Sequence, residues 1–130
     1  MSKGEEKISS LLKSARVLYE REYTFPDLKH NGNLLRFDFA ILSGGHPIKL
    51  IEYDSEIHFQ RVRHFHKTNS EFKQAQERDR IKNKYCLLHN IPLIRIPYWE
   101  LENLTYEKIF NTSSFLVRNK FHNDLLRPPN

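Results

Sequence analysis

Three acidic side chains stand where β-strands ordinarily carry hydrocarbon. Asp38 lies in the run Leu34-Leu35-Arg36-Phe37-Asp38-Phe39-Ala40-Ile41-Leu42, and Glu52 and Asp54 lie in Ile48-Lys49-Leu50-Ile51-Glu52-Tyr53-Asp54. Both runs alternate apolar and polar residues and favour β-branched and aromatic types, which predicts strands. Side chains repeat every second residue along a strand. Asp38 therefore shares a face with Leu34, Ala40 and Leu42, and Glu52 and Asp54 share one with Ile48 and Leu50. A carboxylate on an apolar face is expensive unless it is paired or holds a metal. Asp38, Glu52 and Asp54 are accordingly the expected ligands of a metal ion.

The linker sharpens this expectation. Ser43-Gly44-Gly45-His46-Pro47 is turn chemistry, so the strands should form an antiparallel hairpin. With all five residues in the loop, Leu42 opposes Ile48, Ala40 opposes Leu50, and Asp38 sits opposite Glu52. Opposed Cβ atoms are about 4.5–5.5 Å apart and like charges there repel, a repulsion that a divalent cation reverses. A loop of Gly44-Gly45 alone would slip the register by one and turn Asp38 away. The five-residue loop is the expected one.

Other elements bring further charges inward. A helix expected over residues 4–21 carries Ile8, Leu11, Leu12, Ala15, Leu18 and Tyr19 on one stripe. Glu5 falls on that side, and Glu6 on the wet side. Glu22–Phe25 reads as a short edge strand ended by Pro26-Asp27, followed by a turn at residues 30–33. A long helix is expected over 70–89, with Phe72, Ala75, Asp79, Lys82 and Cys86 along one stripe. Asn90 and Pro92 stop it. Leu93–Trp99 is a further core strand, and two short helices follow over about 105–111 and 113–126. The whole is a single domain over residues 1–130, with a core over 4–100 and C-terminal helices over 101–126. Its class is α/β: a small mixed sheet flanked by helices, with a parallel crossover through the long helix.

The chain has 130 residues, enough for one real core, and nine Phe, six Tyr and one Trp to fill it. Its net charge of +5 suits an anionic partner. Cys86 is the single cysteine, which excludes an internal disulfide and a cysteine zinc cluster. The charged N-terminus does not read as a signal peptide, and no apolar run reaches membrane-spanning length. A soluble, cytoplasmic protein with no membrane partner is expected.

The inward charges Glu5, Asp38, Glu52, Asp54, Asp79 and Lys82, with His58 four residues past Asp54, form a set of hard oxygen donors beside a base. Such donors suit Mg²⁺ or Mn²⁺ better than zinc. Metal-assisted phosphodiester hydrolysis is the reaction class that follows, with His or Lys handling the proton or the developing charge.

Five segments carry a family likeness: Gly4-Glu5-Glu6-Lys7-Ile8, Leu35-Arg36-Phe37-Asp38-Phe39, Ile51-Glu52-Tyr53-Asp54 with His58-Phe59, Asp79 to Cys86, and Leu93-Ile94-Arg95-Ile96-Pro97-Tyr98. In this order and spacing the chain resembles the PD-(D/E)xK nuclease superfamily. The nearest branch is the one related to very-short-patch-repair endonucleases and to phage homing endonucleases with a Glu, Asp, variable, His, Asp site. The resemblance implies a restriction-endonuclease-like core. It also implies that Asp38 is the central metal ligand, that Glu5 and Asp79 line the metal site, and that His58 is the general base or water positioner. Glu52 or Asp54 would fill the variable position, and Lys82 would contact phosphate. Departures are visible: Phe37 precedes Asp38 where the eponymous Pro would stand, Asp54 occupies a common lysine position, and Ser55 replaces a frequent glycine.

Structural readings stand beside these. Asp38 could pair with Arg36 or Arg95, and Glu52 and Asp54 could lie on a solvated face. Asp79 and Lys82 could be a surface i, i+3 pair. Arg61, Arg63, His64, His66 and Lys67, interleaved with aromatics, are candidates for gripping nucleic acid beside a cleft. The expected function is a Mg²⁺- or Mn²⁺-dependent DNA endonuclease, phage- or mobile-element-associated by resemblance. Specificity would come from a mismatch, nick or branch, or from a homodimer that extends the footprint. The alternatives are a non-catalytic nucleic-acid-binding module and a partner-binding accessory protein using Phe115 and Phe121.

Overall fold

The computed structural model describes residues 1–55 and 69–111. Helix α1 (Lys3–Ser14) starts at Ser2, whose hydroxyl accepts the Glu5 N–H at 3.1 Å while the Glu5 carboxylate accepts the Ser2 N–H at 3.2 Å. This is a capping box, and it sets where the helix begins. Strands β1 (Tyr19–His30), β2 (Asn33–Ser43) and β3 (His46–Asp54) follow, then helix α2 (Asn69–Leu88), strand β4 (Leu93–Pro97), a 3-10 turn (Tyr98–Glu100) and helix α3 (Tyr106–Asn111). The sheet order is β1-β2-β3-β4, antiparallel except for the parallel pair β3 and β4, with α2 between them in the chain. The fold is α/β, with a mixed four-stranded sheet and three helices among the described residues.

Two faces of the sheet are covered. Ile8 and Leu12 of α1 and Ile109 of α3 pack with Phe39, Ile41, Ile51, Ile94 and Ile96. On the other face Cys86, Ile81 and Tyr85 of α2 pack with Leu35, Phe37, Ala40, Leu50 and Leu93. Lys49 stitches the sheet to the end of α3, donating to the carbonyls of Ile109, at 3.3 Å, and Phe110.

Several expectations are corrected. Helix α1 ends at Ser14, and not near residue 21. Arg16 takes a left-handed φ of 59°, Leu18 is exposed, and Tyr19 already pairs with Ile41 across the sheet. The sheet edge thus claims residues whose spacing also suits a helix. Strand β1 does not stop at Pro26. It bulges between Thr24 and Lys29, so the proline, which lacks an N–H, is carried outside the ladder. Strand β4 ends at Pro97, short of Trp99. The helix expected over 113–126 lies outside the described residues.

The β2–β3 hairpin departs from expectation in one step and returns to it in the next. Its turn is Gly44-Gly45 alone, with φ of 59° and 80°, and Ser43 pairs with His46. Two such residues in succession favour Gly-Gly or Asn-Gly, the second being the pair that turns β1 into β2 at Asn31-Gly32. That turn alone would misplace Asp38. A bulge at Ile48, between the pairs Leu42–Pro47 and Ile41–Lys49, adds one residue to β3 and restores the register Ala40–Leu50 and Phe39–Ile51. The five-residue loop and the pairing of Leu42 with Ile48 are therefore corrected, Leu42 pairing with Pro47, while the expected register of Ala40 with Leu50 holds.

Candidate active site

Beyond the Phe39–Ile51 pair the strands exchange side-chain bonds in place of backbone ones. The Asp38 N–H donates to Glu52 Oε2 at 2.9 Å, and the Tyr53 N–H donates to Asp38 Oδ2 at 2.7 Å. Each carboxylate therefore occupies a backbone position of the other strand, and the two lie side by side where the sheet splits. Strand β2 also rolls over here. Phe39 belongs to the α1 side, Phe37 and Leu35 to the α2 side, and Leu34 is exposed. The neighbouring β1 follows, with Glu22 at a φ of 53°. Asp38 thus does not share an inner face with Leu34, as simple alternation requires.

Lys82 of α2 closes the arrangement. Its ammonium donates to Glu52 Oε1 at 2.5 Å and lies 5.5 Å from the centre of the Phe37 ring. Glu52 is 3 % exposed. Lys82 and Glu52 are joined within the protein, while Asp38 is left as the second carboxylate. Burial, then the negative charge of Glu52, pushes the Asp38 carboxyl from its ordinary 3.8 up to about 8, against the Tyr53 N–H and Lys82, which favour the ionised form.

These groups open into a cleft of about 340 Å³, shared with Ser2, Glu5, Tyr53 and Ser55. Glu5 reaches it as the sequence suggested, yet its oxygens are engaged. Oε1 accepts from the Ser2 N–H and hydroxyl, and Oε2 lies 3.5 Å from Arg21. These contacts cap α1 and hold Arg21, which stacks 5.7 Å from the centre of the Phe39 ring. Gly4 sets this helix close to β3. A Cβ there would lie 2.4 Å from the Tyr53 ring.

Asp54 and Asp79 go elsewhere. Asp54 is 1 % exposed and accepts from Arg95 at 2.9 Å. Asp79 lies 3.5 Å from the same guanidinium, which also donates to Asn83 at 2.8 Å. Burial alone would lower the pKa of Arg95, but the two aspartates outweigh it and raise it. This is a buried ionic network tying β3, β4 and α2 together. It draws Asp54 away from the expected trio of metal ligands and Asp79 away from the cleft lining. Cys86 is buried, and burial pushes its thiol up to about 12, as befits a core residue. His58, Arg61, Arg63, His64, His66 and Lys67 lie outside the described residues.

Asp38 and Glu52 fit a divalent cation as donors. They are hard oxygen donors, adjacent, and repel each other when both are ionised. Among the described residues no group of three or more His, Cys, Asp or Glu side chains is placed to hold a metal. Mg²⁺ typically takes one or two carboxylates and completes its shell with water and phosphate oxygens, a coordination that two such donors allow.

The sequence reading overlooked Ser2, Arg21, Tyr53 and Ser55. Arg21 was concealed by extending the first helix across it. The alternation of Tyr19, Arg21 and Tyr23 was the signal for a strand. Tyr53 acts through its backbone, which no residue pattern marks.

No family model and no solved structure matches the chain. A stretch of 77 residues is 35% identical to a protein of Invertebrate iridescent virus 6 named uncharacterized protein 307L. The match covers 58% of this chain and 38% of the viral protein, so the chain spans well under half of that relative's length. No helix among the described residues is long and apolar enough to cross a membrane.

Proposed function

We propose that this chain is a Mg²⁺- or Mn²⁺-dependent DNA endonuclease with a restriction-endonuclease-like core, acting at the Asp38–Glu52 cleft. The reading is supported above all by two bonds, from the Asp38 N–H to the Glu52 carboxylate and from the Tyr53 N–H to the Asp38 carboxylate, which fix a half-buried and a buried carboxylate together beside an opening of about 340 Å³. Asp38 and Glu52 would hold the cation. When bound, it polarises a phosphoryl group and makes a coordinated water more acidic. The Tyr53 N–H orients the Asp38 carboxylate, and Lys82 keeps Glu52 from turning away while adding positive charge where a phosphodiester would lie. The Arg95 network holds β3, β4 and α2 in the geometry that brings Lys82 to Glu52. The net charge of +5 favours a polyanion at the surface.

The test is a titration of Mg²⁺ or Mn²⁺ with supercoiled plasmid, using Asp38→Ala as the control. Metal-dependent nicking that disappears in the variant is expected. Equal nicking by both proteins would refute the assignment. DNA binding without any cleavage, unaffected by Asp38→Ala, would favour a non-catalytic binding module.

A further inference from the structure

A second opening lies along the N-terminal half of α2. It is a groove of about 560 Å³ between that helix and the tip of the β1–β2 hairpin, lined by His30, Asn31, Lys73, Gln74, Glu77 and Arg80. Lys73, Glu77 and Arg80 follow helical spacing and form one stripe. The acid of the stripe is already satisfied, since Glu77 takes the Arg80 Nε–H at 3.2 Å and a terminal N–H at 2.9 Å. Arginine has five N–H donors, so others remain available. Lys73 is exposed and makes no ion pair among the described residues. The remaining described liners are an imidazole, two amides and the Ser70 hydroxyl. Among the described residues the groove is thus rich in donors and carries no unneutralised acid.

We propose that this groove grips the phosphate backbone of duplex DNA, an inference that rests on the phosphodiester reading above. Among the described residues none that lines the groove is Phe, Tyr or Trp, whereas single-strand binders stack bases on aromatic rings. Lys, Arg and amide side chains are the usual partners of phosphate oxygens. Helix α2 also sets a distance. Lys82 at the carboxylates and Lys73 in the groove are nine residues apart, about 14 Å along the axis at 1.5 Å per residue and half a turn around it at 3.6 residues per turn, so the cleft and the groove open on different sides of α2.

Binding of a labelled 20-base-pair duplex to the full chain, followed by fluorescence anisotropy in EDTA across a salt series, tests this without any cleavage. Lys73→Ala should flatten the slope of log K against log salt by about 0.9, the value for one phosphate contact. Lys73→Ala/Arg80→Ala should weaken binding roughly five- to tenfold at moderate salt. Lys13→Ala, an exposed change on the α1 side of the sheet, should alter neither. The proposal is overturned if the parent protein does not bind, if the double variant binds like the parent, if Lys13→Ala weakens binding equally, or if single-stranded DNA binds as well as duplex. A plasmid that stays uncut in metal would remove the nuclease reading and leave this binding result standing.

Discussion

Replacing Asp38 with Asn should stabilise the metal-free protein at alkaline pH. The carboxyl has its pKa raised from 3.8 to about 8 by burial and by Glu52. A group with a raised folded pKa contributes stability that is fully present below its unfolded value. That stability is lost as pH rises through the folded value. The wild-type protein should therefore weaken progressively between about pH 4 and pH 8. At about 1.4 kcal/mol per decade the full span would be worth roughly 6 kcal/mol. Movement of Glu52 and entry of water into the open cleft relieve part of this, so a loss of about 2–3 kcal/mol is the expected size. Asn keeps an oxygen for the Tyr53 N–H and cannot ionise. Urea unfolding in EDTA should thus give nearly equal stabilities at about pH 3.5 and a more stable Asp38→Asn protein at pH 9. Adding Mn²⁺ at pH 8 should recover stability in the wild type alone, by about 2.7 kcal/mol at a hundredfold excess over Kd. Parallel pH profiles for the two proteins, or a variant that is the weaker one at pH 9, would refute the like-charge account of this site.

Two further outcomes follow from packing and buried charge. Arg95→Ala should cost about 3–5 kcal/mol in urea unfolding, because it leaves Asp54 and Asp79 without their shared buried cation. Gly4→Ala should cost about 1–3 kcal/mol by forcing a methyl group into the Tyr53 ring. Combining it with Tyr53→Leu should recover part of that loss in thermal unfolding, since the backbone N–H to Asp38 is retained; a strictly additive double variant would show that the ring is not the obstacle.

Local pattern was sufficient for most elements. The alternation in residues 34–42 and 48–54 marks strands, Asn31-Gly32 and Gly44-Gly45 mark turns, and the stripe from Phe72 to Cys86 marks α2 to within a residue at each end. It also placed Asp38 opposite Glu52. The route to that register was invisible, because a tight turn and a bulge at Ile48 together leave the same periodicity as a longer loop. Helix and strand spacing overlap at residues 15–21, where only pairing with β2 decides. Which cation meets which carboxylate was equally beyond the pattern. Glu52 and Asp54 share a strand face, yet Lys82 takes the first and Arg95 the second. Periodicity says which side of an element a residue faces; the partner it finds there depends on how α2 and β4 pack over it, a matter of distances among side chains far apart in the chain.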